Sequence, residues 1–201
     1  MKKILVVLLL GFYTITFNAQ VTAKPGLRAG ANFSKFSHTD FDFKTDFYAG
    51  GFMAIKLSSF YTLQPEINYS RQGAQADLMY YNGMTNEVLK TTKDINVEYL
   101  SFAFVNRFNY YNFDIHGGTT LDFETYSNIS TNTELDLGIT LGIGYTLPFG
   151  LTIEARWKRG LLDVLESDDF NSTLNFVEDN NANNTFQIGL SYSFNVTGAS
   201  K

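Results

Sequence analysis

No cysteine occurs among the 201 residues. That excludes a disulfide scaffold and a lipoprotein anchor, and it leaves packing and hydrogen bonding to hold the fold together. An apolar run of helical transmembrane length is missing too: the longest, Ile4 to Phe12, falls short of the roughly 20 residues a bilayer demands. Clustered positive charge is absent, so nucleic acid is not an expected partner, because phosphate binding needs Lys/Arg runs. Only two histidines, His38 and His116, are present, and neither stands in a nucleophile motif or at metal-ligand spacing. No cofactor or metal site is expected.

What is present begins with a basic start at Lys2 and Lys3, the short apolar run, and small residues through Ala19. This is the layout of a secretory signal peptide. The expected division is a signal peptide over 1–19 with cleavage as late as Ala23, one domain over 24–196, and a short tail over 197–201. Val21 and Ala23 form the better small-residue pair, so both cleavage points stay open. Export removes Lys2 and Lys3 from 15 basic residues, leaving 13 against 20 acidic and a mature charge of −7.

The main signal is period-two alternation in segments of about ten residues, the length of a tilted membrane strand. From Glu134 to Leu147 the odd positions Leu135, Leu137, Ile139, Leu141, Ile143 and Tyr145 are apolar, while the even ones are Gly, Thr or acidic. Residues 186–194 repeat the scheme, and 151–161 set Leu151, Ile153, Ala155 and Trp157 against Thr152, Glu154, Arg156 and Lys158. Weaker alternation marks 26–36, 46–57, 61–71 and 111–122, and 95–108 is apolar with mixed register. Pro65 argues against a central strand at 61–71, since proline cannot donate to a ladder. The count is eight.

The links alternate in length. Long polar ones are expected at 37–45, 73–93, 123–133 and 163–184, and short ones at 58–60, 109–110 and 148–150. That asymmetry fits an all-β, eight-stranded antiparallel up-and-down transmembrane barrel with short periplasmic turns and long extracellular loops. A soluble eight-stranded barrel would invert the faces. Aromatics near strand ends on the apolar face, Phe33, Phe47, Tyr61, Tyr69, Tyr145, Trp157, Tyr192 and Phe194, favour lipid outside as a girdle. The polar face carries both signs of charge, and Arg28, Glu66, Glu98, Glu154, Arg156 and Lys158 are the expected lumen lattice. Placing Glu98 inside puts Arg107 on the opposite parity, facing outward or into the turn. Eight strands leave a bore that side chains can fill, so a wide pore is not expected.

Several stretches resemble the small Bacteroidota outer-membrane β-barrel family labelled PorT-like or porin family: Gly26–Phe36, Leu63–Gly73, Tyr99–Phe108, Leu137–Leu161 and Phe186–Phe194. Leu63-Gln64-Pro65-Glu66 is the most specific of these, and within the resemblance Pro65 is a family feature. Two departures stand out: the chain continues past Phe194, and Ala103 replaces the family's proline. The resemblance implies an integral outer-membrane protein and carries no agreed activity. The partners expected are outer-membrane lipid and lipopolysaccharide, the barrel assembly machinery, and an unknown protein or ligand at the external loops.

Three functional readings follow: a structural or interaction barrel with a filled lumen, a narrow channel for small solutes or ions, and a lipid-modifying enzyme. The enzyme reading rests on His116 with Asp114 and Ser101. Acidic residues crowd the last loop (Asp163, Glu166, Asp168, Asp169, Glu178, Asp179) and the first (Asp40, Asp42, Asp46), where solvated carboxylates are the ordinary reading.

Overall fold

The protein was analysed as a computed structural model, which describes residues 22–37, 41–82, 87–129, 131, 134–162 and 182–194. The expected signal peptide over 1–19, His38, Asp40, the acidic stretch over 163–181 and the expected tail over 197–201 lie outside them.

Eight antiparallel strands follow one another around a closed barrel: β1 (Thr22–Phe36), β2 (Asp42–Lys56), β3 (Tyr61–Asn82), β4 (Glu87–Tyr110), β5 (Phe113–Ser127), β6 (Leu135–Thr146), β7 (Leu151–Gly160) and β8 (Asn183–Ser193). Closure comes from β1 pairing with β8, from Gly26 opposite Ser193 to Phe36 opposite Asn183. A closed sheet leaves no edge strand, so the ladder's backbone groups find partners on both sides without water. No helix among the described residues is long and apolar enough to cross a membrane.

Burial is inverted relative to a water-soluble protein. Even-numbered residues of β1, β2, β3, β5, β6 and β7 face the lumen, as do odd-numbered residues of β4 and β8. The inward set is mostly polar or charged, whereas Leu27, Ile67, Phe104, Ile115, Leu141, Ile143 and Ile188 are exposed on the outside. Exposed apolar surface of this extent needs a covering, and a bilayer supplies it.

Short turns, 57–60, 111–112 and 147–150, gather at one end, here termed the turn end; the longer links lie at the other, the loop end. The structure corrects the expected boundaries in two places. The second short turn, between β4 and β5, falls at 111–112 rather than 109–110, with Tyr111 in the left-handed region at φ 52°. The supposed loop over 73–93 is instead a two-stranded ribbon, registered out to Asn82 opposite Glu87. Beyond Gln75, β3 has no further pairing with β2, and β4 meets β5 only from Val97 onward. The ribbon runs on past the barrel wall there, paired only with itself, so no neighbouring barrel strand imposes the alternation that marks the others.

Pro65 does lie inside a strand, opposite Phe104. The β2 ladder accommodates it: registered pairs stop at Phe52–Glu66 and resume at Ile55–Leu63. Near the loop end the lumen turns apolar, where Phe36, Ala74, Ala76, Ile95, Val97 and Tyr99 pack together with Phe41 and Ile129 against them.

Candidate functional site

The lumen is where the fold brings together charged groups from five or more strands. Arg28 of β1 donates to Glu66 of β3 (2.8 Å) and reaches Glu154 of β7 (2.7 Å). Arg156, two residues along β7 and therefore on the same face, forks onto both oxygens of Glu66 at 2.9 Å and touches Glu154 at 3.2 Å. Arg107 of β4 bridges Glu154 (2.7 Å) and Asp114 of β5 (3.2 Å). Asp114 also contacts His116 Nδ1 at 2.6 Å. Nearer the loop end Lys158 pairs with Asp122 at 2.6 Å and donates to Ser101. Four cations, Arg28, Arg107, Arg156 and Lys158, thus meet four carboxylates, Glu66, Glu154, Asp114 and Asp122, while a fifth buried carboxylate, Asp136, stands opposite Asp122 and accepts from the Leu161 and Leu162 N–H groups. Buried charges require such pairing, since each ion carries a desolvation penalty of several kcal/mol.

Of the residues expected in this lattice, Arg28, Glu66, Glu154, Arg156 and Lys158 come together, and Glu98 does not. Odd positions of β4 face inward, so Glu98 lies on the outer side, accepting from the Tyr69 hydroxyl (2.6 Å) and lying 3.4 Å from Arg71 Nε. Arg107 takes the inward place instead. The signal for this was in the turn: Arg107 is registered opposite His116, and antiparallel partners share a face. The polar parity of Asp114, His116 and Asp122 therefore dictates the parity of β4 once the turn is fixed at two residues.

Glycines on the lumen face make room for the long side chains. A Cβ at Gly142 would strike His116, at Gly144 Asp114, at Gly50 Asn68, and at Gly189 the Tyr48 hydroxyl. Tyr48 uses that slot, crossing from β2 past Gly30 toward Gly189 with the Arg28 guanidinium 4.5 Å from its ring centre. Small against large is how a narrow bore is filled to protein density. A layer of amides and hydroxyls caps the charges: Asn32 donates to Ser70, Gln187 to Asn32, and Asn183 and Thr185 both donate to Gln72. A small cavity between the charges and this layer, lined by Asn68, Ser101, Thr120, Thr140 and Lys158 among others, measures about 20 Å³, enough for one water.

The enzyme candidates separate. Asp114 and His116 are in contact, but the Ser101 hydroxyl accepts from Lys158, and His116 is fully buried. Among the described residues no group of three or more His, Cys, Asp or Glu could hold a metal ion.

All eight expected girdle aromatics lie on the outer side and sort into two belts. Phe33, Phe47, Tyr69 and Trp157 lie toward the loop end: Phe33 and Trp157 both pair with Phe186, and the Phe47 and Tyr69 rings are 6.1 Å apart. Tyr61, Tyr145, Tyr192 and Phe194 lie toward the turn end, where Tyr61 stacks near Phe108, Tyr145 near Phe113, and Tyr192 near Phe194.

A family model described as outer membrane protein beta-barrel domain matches residues 4–194. Among solved structures, neisserial surface protein A is similar over 86% of this chain and 99% of its own, with 13% identity and a TM-score of 0.53. The outer membrane protein OprG from Pseudomonas aeruginosa aligns over 88% and 98%, with 13% identity and a TM-score of 0.49. Ail, the attachment invasion locus protein of Yersinia pestis, aligns over 86% and 97%, with 11% identity and a TM-score of 0.46. At such identity the likeness concerns the fold. No curated protein matches the chain.

Proposed function

This chain belongs to the outer membrane protein beta-barrel domain family, and from that premise we propose a sealed outer-membrane barrel that acts through its loop end rather than through its lumen. The carrying observation is the neutral lattice of Arg28, Glu66, Arg107, Asp114, Glu154 and Arg156, which spans β1, β3, β4, β5 and β7 with every charge paired. Above it, the amide layer and the apolar cluster around Phe36 and Val97 close the same bore twice more. An ion crossing would have to break several buried pairs, each costly to open.

The β3–β4 ribbon and the longer links stand at the loop end, which in this reading faces the exterior, with both termini in the periplasm. There they would meet an unknown protein or ligand. The greasy belt would meet outer-membrane lipid and lipopolysaccharide, and insertion would use the barrel assembly machinery. The Lys2–Ala19 segment supports a cleaved signal peptide, and cleavage after Ala19 leaves Thr22 and Ala23 available to pair with Lys56 and Ile55 of β2. The Leu63–Glu66 run and the 137–161 core support placing the chain among the small Bacteroidota barrels labelled PorT-like or porin family. We read the barrel as non-enzymatic, because Ser101 and His116 engage different partners. His116→Ala should leave lipid A chemistry unchanged; altered lipid A would overturn that part.

The test of sealing is single-channel conductance of purified protein in a planar bilayer. A filled lumen gives no steady current steps. Reproducible steps at constant voltage would instead support a narrow channel.

A further inference from the structure

The outer side of β7, β8 and β1 carries an arrangement that the lumen reading leaves unused. Phe33, Phe186 and Trp157 form a row across these three strands, since Phe186 is registered opposite both of the others. Two residues nearer the loop end, on the same face, stand Lys35, Asn184 and Arg159, again in register, with Asn184 opposite both cations. Neighbouring strands are about 4.8 Å apart, so the two cations flank Asn184 with their backbones about 10 Å from each other, within reach of one anion.

Three details make this more than a basic patch. First, among the described residues neither Lys35 nor Arg159 has an ion pair with a carboxylate; the Lys35 ammonium rests 4.9 Å from the centre of the Phe43 ring. Arg71 and Lys44, by contrast, have carboxylate partners. Second, the Trp157 indole N–H donates to Asn184 Oδ1. An indole can only donate, so this bond turns the Asn184 amide NH₂ away from Trp157 as a third donor between the cations. Third, directly below the row, a groove of about 680 Å³ runs along the apolar face, lined by Leu141, Ile143, Ala155, Trp157, Phe186 and Ile188. Its floor is low because Ala155 is the small residue between larger neighbours.

Cationic donors above an apolar groove at the membrane boundary match an anionic amphiphile. We propose that Lys35, Asn184 and Arg159 bind the phosphate of a phosphorylated lipid in the leaflet at the loop end, with one of its acyl chains lying in the groove beneath Trp157. Guanidinium and ammonium groups at the head-group level attract anionic lipid, and Arg adds a planar fork suited to phosphate. The proposal rests on the reading that lipid surrounds the apolar face, and it adds one place and one head-group chemistry to it.

Trp157 is the only tryptophan, so its fluorescence reports the groove. The full mature barrel would be reconstituted in phosphatidylcholine vesicles, with quenching by bromine-labelled acyl chains measured for phosphatidic acid and for phosphatidylcholine as the brominated component. Quenching by brominated phosphatidylcholine at high mole fraction checks that lipid meets this face at all; its absence would overturn the lipid-facing reading itself. The site predicts that brominated phosphatidic acid reaches half-quenching at a roughly tenfold lower mole fraction than brominated phosphatidylcholine. The preference should vanish in Lys35→Gln/Arg159→Gln, and Ala155→Leu, which fills the groove, should weaken quenching by phosphatidic acid at low mole fraction. Heat-modifiable gel migration confirms that each variant is folded, and Lys35→Arg, which keeps the charge, should retain the preference. Equal quenching by the two lipids, or a preference that survives the double substitution, would overturn the phosphate site; undiminished quenching in Ala155→Leu would overturn the groove.

Discussion

Arg156 and Glu66 meet in the lumen as a two-point fork, Nη1 to Oε2 and Nη2 to Oε1 both at 2.9 Å, although β7 and β3 are not neighbours in the sheet. The contact is made through the bore, so it ties opposite walls together. Glu66→Gln leaves Arg156 and Arg28 short of a countercharge, and a buried pair broken on one side costs about 3–5 kcal/mol. Glu66→Met/Arg156→Met should cost clearly less than the sum of the single changes. Urea unfolding in lipid vesicles measures both, and additive effects would show that the fork is not coupled.

Glu154 and Glu98 give a contrast between inner and outer carboxylates. Glu154 serves Arg28, Arg107 and Arg156 in the bore, so Glu154→Gln should lower stability by about 3–5 kcal/mol. Glu98 is partly exposed outside, and Glu98→Gln should cost about 0–1 kcal/mol. Equal losses in the same unfolding assay would contradict the assigned parity of β4.

The lumen glycines predict steric effects that their size alone does not suggest. Gly144→Val would push the Asp114 carboxylate off Arg107 and His116, and Gly189→Val would expel the Tyr48 hydroxyl from its slot. Each should cost about 1–3 kcal/mol as overpacking, lowering the temperature at which the folded band disappears on gels. Gly51 points outward, where a Cβ would meet only ordinary contacts with the Gly26 carbonyl (3.7 Å) and Leu27 (3.9 Å), and Gly51→Ala should leave that temperature nearly unchanged.

Depth in the bilayer sets the cost of a charge on the outer face. Ile143, exposed in the apolar band and registered between Ile115 and Ala155, should lose about 2–4 kcal/mol as Ile143→Arg. Leu135 lies at the loop end of β6, opposite Phe123, and Leu135→Arg should cost about 0–1 kcal/mol. Refolding equilibria into vesicles distinguish the two, and a soluble barrel would show no such gradient.

Strand number, the two faces and the order of long and short links were legible in the sequence because a closed sheet between lipid and a packed bore forces strict alternation on every strand. Five of the lattice residues, and all eight girdle aromatics, could be placed by parity alone. The parity of β4 could not, because Ala103 and Val105 face inward and Asn106 outward, which blurs the pattern locally. Nor could the β3–β4 ribbon, whose strands beyond Gln75 and before Val97 pair only with each other and so follow no barrel neighbour's alternation.

Tertiary structure alone decided which charges meet. Parity tells a residue to face inward, but the pairing of Arg156 with Glu66, the slot of Tyr48 against Gly189 and the row of Lys35, Asn184 and Arg159 depend on how β7, β8 and β1 are staggered when the sheet closes. That stagger is fixed by hydrogen-bond register between strands distant in the chain, a relation that no single strand's residues encode.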